Sequence, residues 1–302
     1  MIPVLTEAHV RASLSYATLI PAMERTLIDF SAGRIVQPVR TSIPVPGGEG
    51  VLGFMPCIYG EYMGVKLVTY NAANAARGLP VYWTSVHLFR AATGEPLAVI
   101  DGASLTEMRT AAVSAVAAKL LARPGTRVLA VLGSGVQARA HVAALRAIRQ
   151  FREIRVWSRT PAHAEKFASE IGATVASAEA AARGADVIVT ATGAAEPVLR
   201  GAWLAEGACV LAIGSFGPDR RELDDDAMAG AVIVDSRAGA TVEAGEILLS
   251  RAPIHAELGE LLGGTKPMPR ARHTVFKSLG LAAEDIAAAA LVWEAASSPG
   301  KR

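Results

Sequence analysis

Apolar and polar positions along the first 110 residues follow no single period. A helical pattern runs from Glu7 to Ser31, and prolines and glycines then break the chain into short extended runs. Three of these runs are rich in apolar and β-branched residues and predict strands: Met63 to Tyr70, Ser85 to Phe89 and Leu97 to Ile100. This part of the chain is therefore predicted to be an α+β region.

After Thr110 the pattern becomes regular, and apolar runs alternate with helical stretches. A helix is predicted over Ala111 to Ala122 and ends at Pro124-Gly125. The predicted strands that follow are Arg127 to Leu132, Ile154 to Ser158, Asp186 to Thr190, Cys209 to Ile213 and Ala231 to Asp235. The predicted helices between them are Gln137 to Arg149, Pro161 to Ile171 and Ala178 to Arg183. Such alternation predicts an α/β fold with a doubly wound parallel sheet covered on both faces.

The length of 302 residues exceeds the roughly 100 to 200 residues of a usual single domain. We place one domain over residues 1–110 and the parallel-sheet domain over 111–278, and we expect the alternation of strands and helices itself to end near residue 265. The last helix, predicted over Leu279 to Ala296 within the segment 279–302, is expected to return to the first domain. Residues Ser297 to Arg302 are expected to form a frayed tail.

Composition and charge exclude several classes of partner. Hydrophobic residues make up 51% of the chain, but no apolar run approaches the ~18 to 20 residues of a membrane helix. The first residues lack a secretory pattern, so we expect a soluble cytoplasmic protein. Cys57 and Cys209 are too far apart to suggest a disulfide framework and favour two reduced thiols. With 30 basic and 28 acidic residues, the chain favours neither a nucleic-acid nor a membrane partner.

The strongest local motif is an apolar strand that runs into Gly133-Ser-Gly-Val-Gln-Ala138 and then a helix. Gly133 permits a tight turn, Gly135 lets a pyrophosphate approach the backbone, and Ala138 allows close packing of helix and strand. The helix N-terminus would present its amides to the phosphates. The motif predicts a dinucleotide site, whose candidate residues are Gly133, Ser134, Gly135, Val136, Gln137 and Ala138. The alternative is a purely structural glycine turn.

The end of the second predicted strand bears on the choice of nucleotide. An NAD site usually carries Asp or Glu about 20 residues beyond the glycines, where it binds the ribose hydroxyls. This chain has Ser158, Arg159 and Thr160 there, and these hydroxyls and the guanidinium suit a 2′-phosphate. NADP(H) is therefore the preferred cofactor, with NAD(H) possible. The alternative is that Arg159 lies over the adenine or in solvent.

Three basic residues stand in apolar or uncharged surroundings: Arg40, Lys66 and Arg109, the last just before the predicted helix at 111. Taken singly, each is more often a surface cation that extends from its apolar stem to solvent. Together they could bind a small acid, because two guanidinium groups can hold a carboxylate by paired hydrogen bonds. The ammonium could add charge or deliver a proton.

Other catalytic arrangements lack support. Six histidines are scattered without metal-ligand spacing, so no metal site is predicted, and His141 is interpreted as a polar position on a helix. No GxSxG motif is present. Glu222 and the aspartates at 224–226 are interpreted as a loop and helix start.

The motifs together resemble the ornithine cyclodeaminase/mu-crystallin family over nearly the whole chain. The matching segments are Gln37-Pro-Val-Arg-Thr41, Gly64-Val-Lys66, Asp101-Gly102, Arg109-Thr-Ala-Ala-Val-Ser-Ala115, Gly133-Ser-Gly-Val-Gln-Ala138, Arg221-Glu-Leu-Asp224, Phe276-Lys-Ser-Leu-Gly280 and Glu284-Asp285. An ordered set of this kind is far more specific than the glycine motif alone.

The resemblance implies a homodimer, with the first domain and the C-terminal helix forming the interface and roofing the active-site cleft. It implies that Arg40, Lys66 and Arg109 bind a small carboxylated substrate beside the nicotinamide, with Arg109 also counted among the cofactor contacts. Thr192 and Ser278 are expected near the cofactor by the same matching.

One departure from the family pattern affects the predicted reaction. Cyclodeaminases of this family carry an Asp six residues before the Glu of the Glu-Leu pair, where this chain has Phe216. A phenyl ring can neither accept a proton nor pair with an ammonium. Asp219 lies three residues later and is a weaker substitute, so ornithine cyclisation is disfavoured.

The resulting hypothesis is NAD(P)H-dependent reduction of a small 2-imino acid, such as pyrroline-2-carboxylate or piperideine-2-carboxylate. Lys66 would bind the carboxylate and protonate the imine nitrogen, and Phe216 would form an apolar wall beside the ring. Alternatives are an amino-acid dehydrogenase or cyclodeaminase of the same family. A further alternative is a non-catalytic, dinucleotide-dependent binding protein, as the ligand-binding role of mu-crystallin suggests.

Overall fold

The computed structural model describes residues 1–48 and 50–298. Its strands are β1 (Val4–Leu5), β2 (Thr41–Pro44), β3 (Gly50–Tyr59), β4 (Tyr62–Asn71), β5 (Tyr82–Arg90), β6 (Pro96–Asp101), β7 (Val128–Leu132), β8 (Glu153–Trp157), β9 (Thr174–Val175), β10 (Val187–Thr190), β11 (Cys209–Ala212), β12 (Ala231–Val234), β13 (Ile254–Glu257) and β14 (Thr274–Lys277). Its helices are α1 (Glu7–Ser13), α2 (Tyr16–Ser31), α3 (Gly102–Leu121), α4 (Val136–Ile148), α5 (Pro161–Ile171), α6 (Ala178–Ala182), α7 (Asp225–Met228), α8 (Arg237–Glu243), α9 (Gly245–Ser250), α10 (Leu258–Leu262) and α11 (Ala282–Ser297).

The elements form two compact units. The first comprises Met1–Arg109 together with the chain from Leu281 onward, and the second comprises Thr110–Gly280. Helix α3 begins in the first unit and continues into the second, because Arg109 lies within its length.

The first unit contains a sheet in the order β1-β6-β5-β4-β3-β2. The neighbours from β6 to β2 are antiparallel, and β1 pairs in parallel with β6. Helix α11 packs on one face of β3, β4 and β5 and also contacts α2. Gly64 permits this contact, because a Cβ atom there would lie 2.6 Å from Ile286 of α11 and 2.3 Å from the carbonyl oxygen of His87.

The second unit is built on a parallel sheet in the order β9-β8-β7-β10-β11-β14-β12-β13. The strand order reverses between β7 and β10, as in doubly wound dinucleotide-binding folds. All four residues of β10 and of β11 are buried. Such apolar strands need cover on both faces, which explains the near-continuous apolar runs in the sequence. The predicted α/β class is confirmed.

The prediction was wrong where the alternation of strands and helices is interrupted. Strand β14 was not predicted, yet it lies between β11 and β12. The segment before it carries Gly263-Gly264 and two prolines, Pro267 and Pro269, which signal a loop. A short strand after such a loop leaves a weak periodic signal. The parallel sheet therefore does not end near residue 265.

Several helix boundaries also differ from the prediction. The pattern from Glu7 to Ser31 forms two helices, because the Ser15 side chain accepts the Thr18 amide and starts α2. Helix α3 begins at Gly102, so Arg109 lies inside it and not before it. Helix α11 begins at Ala282 and includes Ser297; the rest of the expected tail, 299–302, lies outside the described residues.

Two other expectations concern single residues. His141 is fully buried, and its ring hydrogen bonds to Ser114 Oγ at 2.8 Å and to the carbonyl of Gln137 at 2.7 Å, so it is not merely a polar surface position. Burial lowers its pKa to about 4. Cys57 and Cys209 are both free and buried.

No helix among residues 1–48 and 50–298 has the length and apolar content to cross a membrane. The same residues contain no group of histidine, cysteine, aspartate and glutamate side chains arranged to hold a metal ion.

The position of β14 predicts a large penalty for truncating its core residue. Phe276 is fully buried in the interior of the sheet, so Phe276→Ala should reduce the free energy of unfolding by about 3–5 kcal/mol. Urea unfolding followed by circular dichroism measures this change. The exposed apolar residue Val242 provides the control, since Val242→Ala should change stability by less than about 0.5 kcal/mol. Equal midpoints for the two variants would contradict the central placement of β14.

Candidate functional site

The first unit gathers buried charges at the N-terminus of α11. Lys66 Nζ lies 2.7 Å from Asp285 Oδ2, and Arg109 Nε lies 2.9 Å from Asp285 Oδ1. Arg109 Nη1 also lies 2.5 Å from Glu284 Oε2. Lys66 and Arg109 are only 2% and 3% exposed, so neither is a surface cation that reaches solvent. We call Arg40, Lys66, Arg109, Glu284 and Asp285 the charged cluster.

Local sequence explains why these charges meet. Gly64 allows α11 to lie close to β4, and Lys66 lies two residues further on the same face of that strand. The Gln37 side chain accepts the Ala283 amide at 2.7 Å, which fixes the segment leading to Arg40 against the start of α11. Arg40 itself is half-buried directly before β2.

Burial controls the protonation of Lys66. Desolvation lowers its pKa to about 8, although Asp285 acts in the opposite direction and Arg109 and Arg40 add to the lowering. Burial also acts to lower the pKa of Arg109, but Asp285 and Glu284 outweigh it, so the net shift is upward. Arg109 therefore remains charged, while Lys66 can release a proton near physiological pH.

The composition of the charged cluster indicates what it can bind. Three cations and two carboxylates leave one net positive charge, which suits a single carboxylate ligand. Two nitrogens of Arg109 are already engaged by Asp285 and Glu284, so fewer of its donors are left for a ligand. Arg109 is thus more constrained than a guanidinium with every donor available. Glu284 and Asp285 belong to the family-like segments, but their sequence alone indicated no role.

The second unit carries the glycine turn between β7 and α4. Gly133 has a φ of +128°, and a Cβ atom there would lie 2.3 Å from the carbonyl oxygen of Ala191. A Cβ on Gly135 would meet nothing within 4 Å, so the backbone there is open to a ligand. Ala138 is fully buried in the first turn of α4. These features fit the pyrophosphate of a dinucleotide at the helix N-terminus.

The other predicted residues of this turn lie around its open side. Ser134 and Gln137 are half-buried, and Val136 is exposed. Ser134 Oγ donates a hydrogen bond to Ser158 Oγ at 2.8 Å, which joins the turn to the end of β8. Arg159 and Thr160 are exposed at the N-terminus of α5. A cation, hydroxyls and a helix N-terminus at one place suit a phosphate group.

The two residues expected near the cofactor by resemblance differ in their surroundings. Thr192 is half-buried in the loop after β10, whereas Ser278 is buried directly after β14 and its hydroxyl donates to Asp235 at 3.1 Å. Phe216 is 54% exposed in the loop after β11, and Asp219 is exposed in the same loop.

Sequence reasoning missed the role of Glu222, which is fully buried and not a solvated loop residue. Its Oε1 accepts the amide and the hydroxyl of Thr192, both at 2.7 Å. Its Oε2 accepts the Thr190 hydroxyl at 2.8 Å and the Gly214 amide at 2.7 Å. Glu222 therefore joins the loops after β10 and β11. The nearby Asp224 does start a helix, as predicted, by capping α7.

The parallel sheet, the reversal of strand order and the glycine turn define a Rossmann-type, NAD(P)-dependent oxidoreductase. The model of the ornithine cyclodeaminase/mu-crystallin family matches residues 3–300. The chain belongs to this family, which confirms the resemblance found in the sequence.

Relatives include both metabolic enzymes and mu-crystallin. Ketimine reductase mu-crystallin of Mus musculus is 46% identical over 299 residues, covering 96% of this chain and 95% of the mouse protein. The structure of Thermococcus litoralis Δ1-pyrroline-2-carboxylate reductase with NADH and L-proline is 33% identical, has a TM-score of 0.92 and covers 98% and 97% of the two chains. An archaeal alanine dehydrogenase dimer with bound NAD is 32% identical, has a TM-score of 0.93 and covers 98% and 96%.

The position of Arg159 generates a prediction about nucleotide choice. Loss of a charge-assisted contact to a 2′-phosphate should weaken NADPH binding by about 10- to 100-fold in Arg159→Asp, while NADH binding is retained or improved. Titration of nucleotide fluorescence gives both dissociation constants. Arg152→Asp, at an exposed position before β8, controls for general charge reversal. An unchanged ratio of the two constants in Arg159→Asp would place recognition of the 2′-phosphate elsewhere.

Proposed function

We propose that this chain uses NAD(P)H to reduce the C=N bond of a small 2-imino acid, with cyclic imines such as pyrroline-2-carboxylate or piperideine-2-carboxylate as substrates. The observation that carries this proposal is the state of Lys66, a buried ammonium that pairs with Asp285 and lies near two arginines. The pKa of Lys66 is lowered to about 8. The enzyme class and the reaction agree with the ketimine reductase and pyrroline-2-carboxylate reductase relatives.

In this mechanism the charged cluster binds the substrate carboxylate. Arg40 and Arg109 hold its oxygens, and Asp285 keeps Lys66 in a fixed position. Orientation of the imine in this way supplies much of the rate. The bound NAD(P)H supplies the hydride.

Lys66 then acts as the general acid. Its Nζ gives a proton to the imine nitrogen, directly or through water, because an iminium carbon accepts hydride more readily than an imine carbon. A lysine with its pKa near the working pH is suited to this task, since it is still protonated but gives up its proton easily. Burial supplies that property here.

NADP(H) is the proposed preferred cofactor, on the basis of Ser158, Arg159 and Thr160. NAD(H) is retained as a second cofactor, since the solved relatives carry NADH or NAD. The two buried, free cysteines agree with a reducing compartment, so a cytoplasmic location is part of the proposal.

A second candidate function is amino-acid dehydrogenation, as the alanine dehydrogenase relative suggests. Phe216 disfavours the cyclodeaminase reaction, because it replaces the Asp that would handle the substrate amine. Oxidation of NADPH and NADH with cyclic imines and with pyruvate plus ammonia, together with turnover of ornithine in the presence of NAD, separates the candidates. Turnover confined to pyruvate plus ammonia would favour the dehydrogenase, and turnover confined to ornithine with NAD would favour a cyclodeaminase.

The proton-donor role of Lys66 predicts a large kinetic effect. Lys66→Met should lower kcat for imine reduction by about 100- to 10,000-fold, while NADPH binding stays the same. For the unmodified protein, kcat/KM should fall as pH rises through about 8, because the ammonium loses its proton. This alkaline limb should be absent from the residual activity of Lys66→Met.

Two controls sharpen the test of Lys66. Lys166→Met removes an exposed lysine from α5 and should leave the pH profile unchanged. Comparison of five- and six-membered cyclic imines identifies the group that titrates. If the pH at which activity falls changes with the ring size of the substrate, the titrating group is the substrate nitrogen and not Lys66. Full turnover in Lys66→Met would remove this residue from the mechanism.

We further propose that the chain forms a homodimer through the sheet of the first unit. Met55 and Lys66 face α11, so the alternating neighbours Phe54 and Val65 lie on the opposite face. On that face Ile58 is 47% exposed, and Phe54 and Val65 are only partly buried. An apolar sheet face of this kind is typical of an interaction surface, and the alanine dehydrogenase relative is a dimer.

The dimer proposal predicts that Ile58→Glu yields a monomer, because a carboxylate would be buried without a partner charge. Size-exclusion chromatography with light scattering measures the mass. Val242→Glu places the same charge on an exposed position of the second unit and should remain dimeric. A monomeric unmodified protein at micromolar concentration would contradict the proposal.

A further inference from the structure

Glu222 belongs to a group of buried charges separate from the charged cluster of the first unit. Lys277 Nζ lies 3.0 Å from Glu246 Oε2 and donates to the carbonyl oxygen of Ser215 at 2.6 Å. Glu246 also accepts the backbone amide of Glu222 at 3.0 Å and the hydroxyl of Ser215. We call Glu222, Glu246 and Lys277, which are all fully buried, the strand-end cluster. Two carboxylates and one ammonium leave it with one net negative charge.

The contacts of Glu222 favour its ionised form. All four hydrogen bonds to its carboxylate come from backbone amides or hydroxyls. Burial raises the pKa of Glu222 overall, and the charge of Lys277 and the hydrogen bonds from Thr192 and Thr190 offset only part of that rise. Protonation would turn an acid O–H toward groups that already donate. The carboxylate is therefore the form that can accept from all four donors at once.

The strand-end cluster occupies a defined place in the parallel sheet. Thr190 and Thr192 end β10 and begin its loop, Gly214 follows β11, and Lys277 ends β14. In doubly wound sheets the dinucleotide crosses the carboxyl ends of the strands at the reversal of strand order. The glycine turn after β7 and the residues after β8 suit the adenosine half. The ends of β10, β11 and β14 are left for the nicotinamide half.

We propose that Glu222 is a positioning residue that fixes the nicotinamide-side loops and, through its charge, favours the oxidised over the reduced nucleotide. The oxidised nicotinamide ring is cationic, whereas the reduced ring is neutral. A buried negative charge beside that subsite stabilises the cation, and it is poorly screened because water is excluded. The inference rests only on the nucleotide-binding part of the proposed function and needs no particular substrate. In the reductive direction, such a bias favours loss of hydride from the nucleotide.

The test compares two dissociation constants in Glu222→Gln. NADPH binding is measured by fluorescence titration, and NADP⁺ binding by competition against NADPH. The substitution keeps the size of the side chain and removes its charge, but its NH2 group must face the amide of Thr192 or Gly214. Both constants should therefore rise, and the ratio of the NADP⁺ constant to the NADPH constant should rise about tenfold. A purely structural role would raise both constants together and leave the ratio unchanged, which would overturn the proposal.

Two further variants separate charge from position. Glu222→Asp keeps the charge but shortens the side chain, so both constants should rise while their ratio stays near that of the unmodified protein. Glu206→Gln removes a carboxylate that is 78% exposed and should change neither constant. A ratio that rises equally in Glu222→Asp and Glu222→Gln would contradict the electrostatic argument.

Glu246→Gln keeps the proposal testable if Glu222→Gln does not fold by circular dichroism. This variant also removes one negative charge, but it leaves the four donors to Glu222 in place. The NADP⁺ to NADPH ratio should again rise, and an unchanged ratio in folded Glu246→Gln would overturn the proposal. Because only nucleotide binding is measured, absence of imine reductase activity would not affect the outcome.

Discussion

The pairing of buried cations with the two carboxylates at the start of α11 is the interaction on which the first unit depends. Lys66 and Arg109 are almost inaccessible to water, and each would be strongly destabilising without Asp285 and Glu284. Loss of one partner from a buried ion pair typically costs about 3–5 kcal/mol. The same pairing holds the Lys66 ammonium in place, while burial lowers the pKa of that ammonium to about 8.

The second unit is constrained instead by the close approach of backbone segments at the ends of its parallel strands. Gly133 lies against the loop after β10, and a Cβ on Gly214 would lie 2.2 Å from the amide nitrogen of Thr192. Segments packed this closely have little room for side chains. The Glu222 carboxylate lies beside these segments and accepts the amides of Thr192 and Gly214. Packing and hydrogen bonding together fix the loops after β10 and β11.

The sequence predicted the features that have a short-range signal. The glycine turn and the apolar strands β7, β8, β10, β11 and β12 are local patterns, so their type and order could be predicted. Strand β14 is short and follows a loop rich in glycine and proline, and its central position depends on tertiary packing. Its place in the sheet could not be predicted from periodicity.

The roles of acidic residues were harder to predict than those of basic ones. Arg40, Lys66 and Arg109 stood out because each is a cation in uncharged surroundings. Glu222 stands near other acids, and Glu284 and Asp285 stand in the first turn of a helix, where carboxylates are common for reasons of helix stability. Only the three-dimensional contacts distinguish them from ordinary surface acids.

The order of the chain has a consequence for biosynthesis. In the sequence, the first unit is interrupted by the whole of the second unit, because α11 follows Gly280. While the protein is being made, Lys66 and Arg109 leave the ribosome long before Glu284 and Asp285 exist to neutralise them. The nascent sheet must therefore keep these cations hydrated until the residues of α11 have been made. The charged cluster of the first unit can therefore form only after the whole of the second unit has been synthesised.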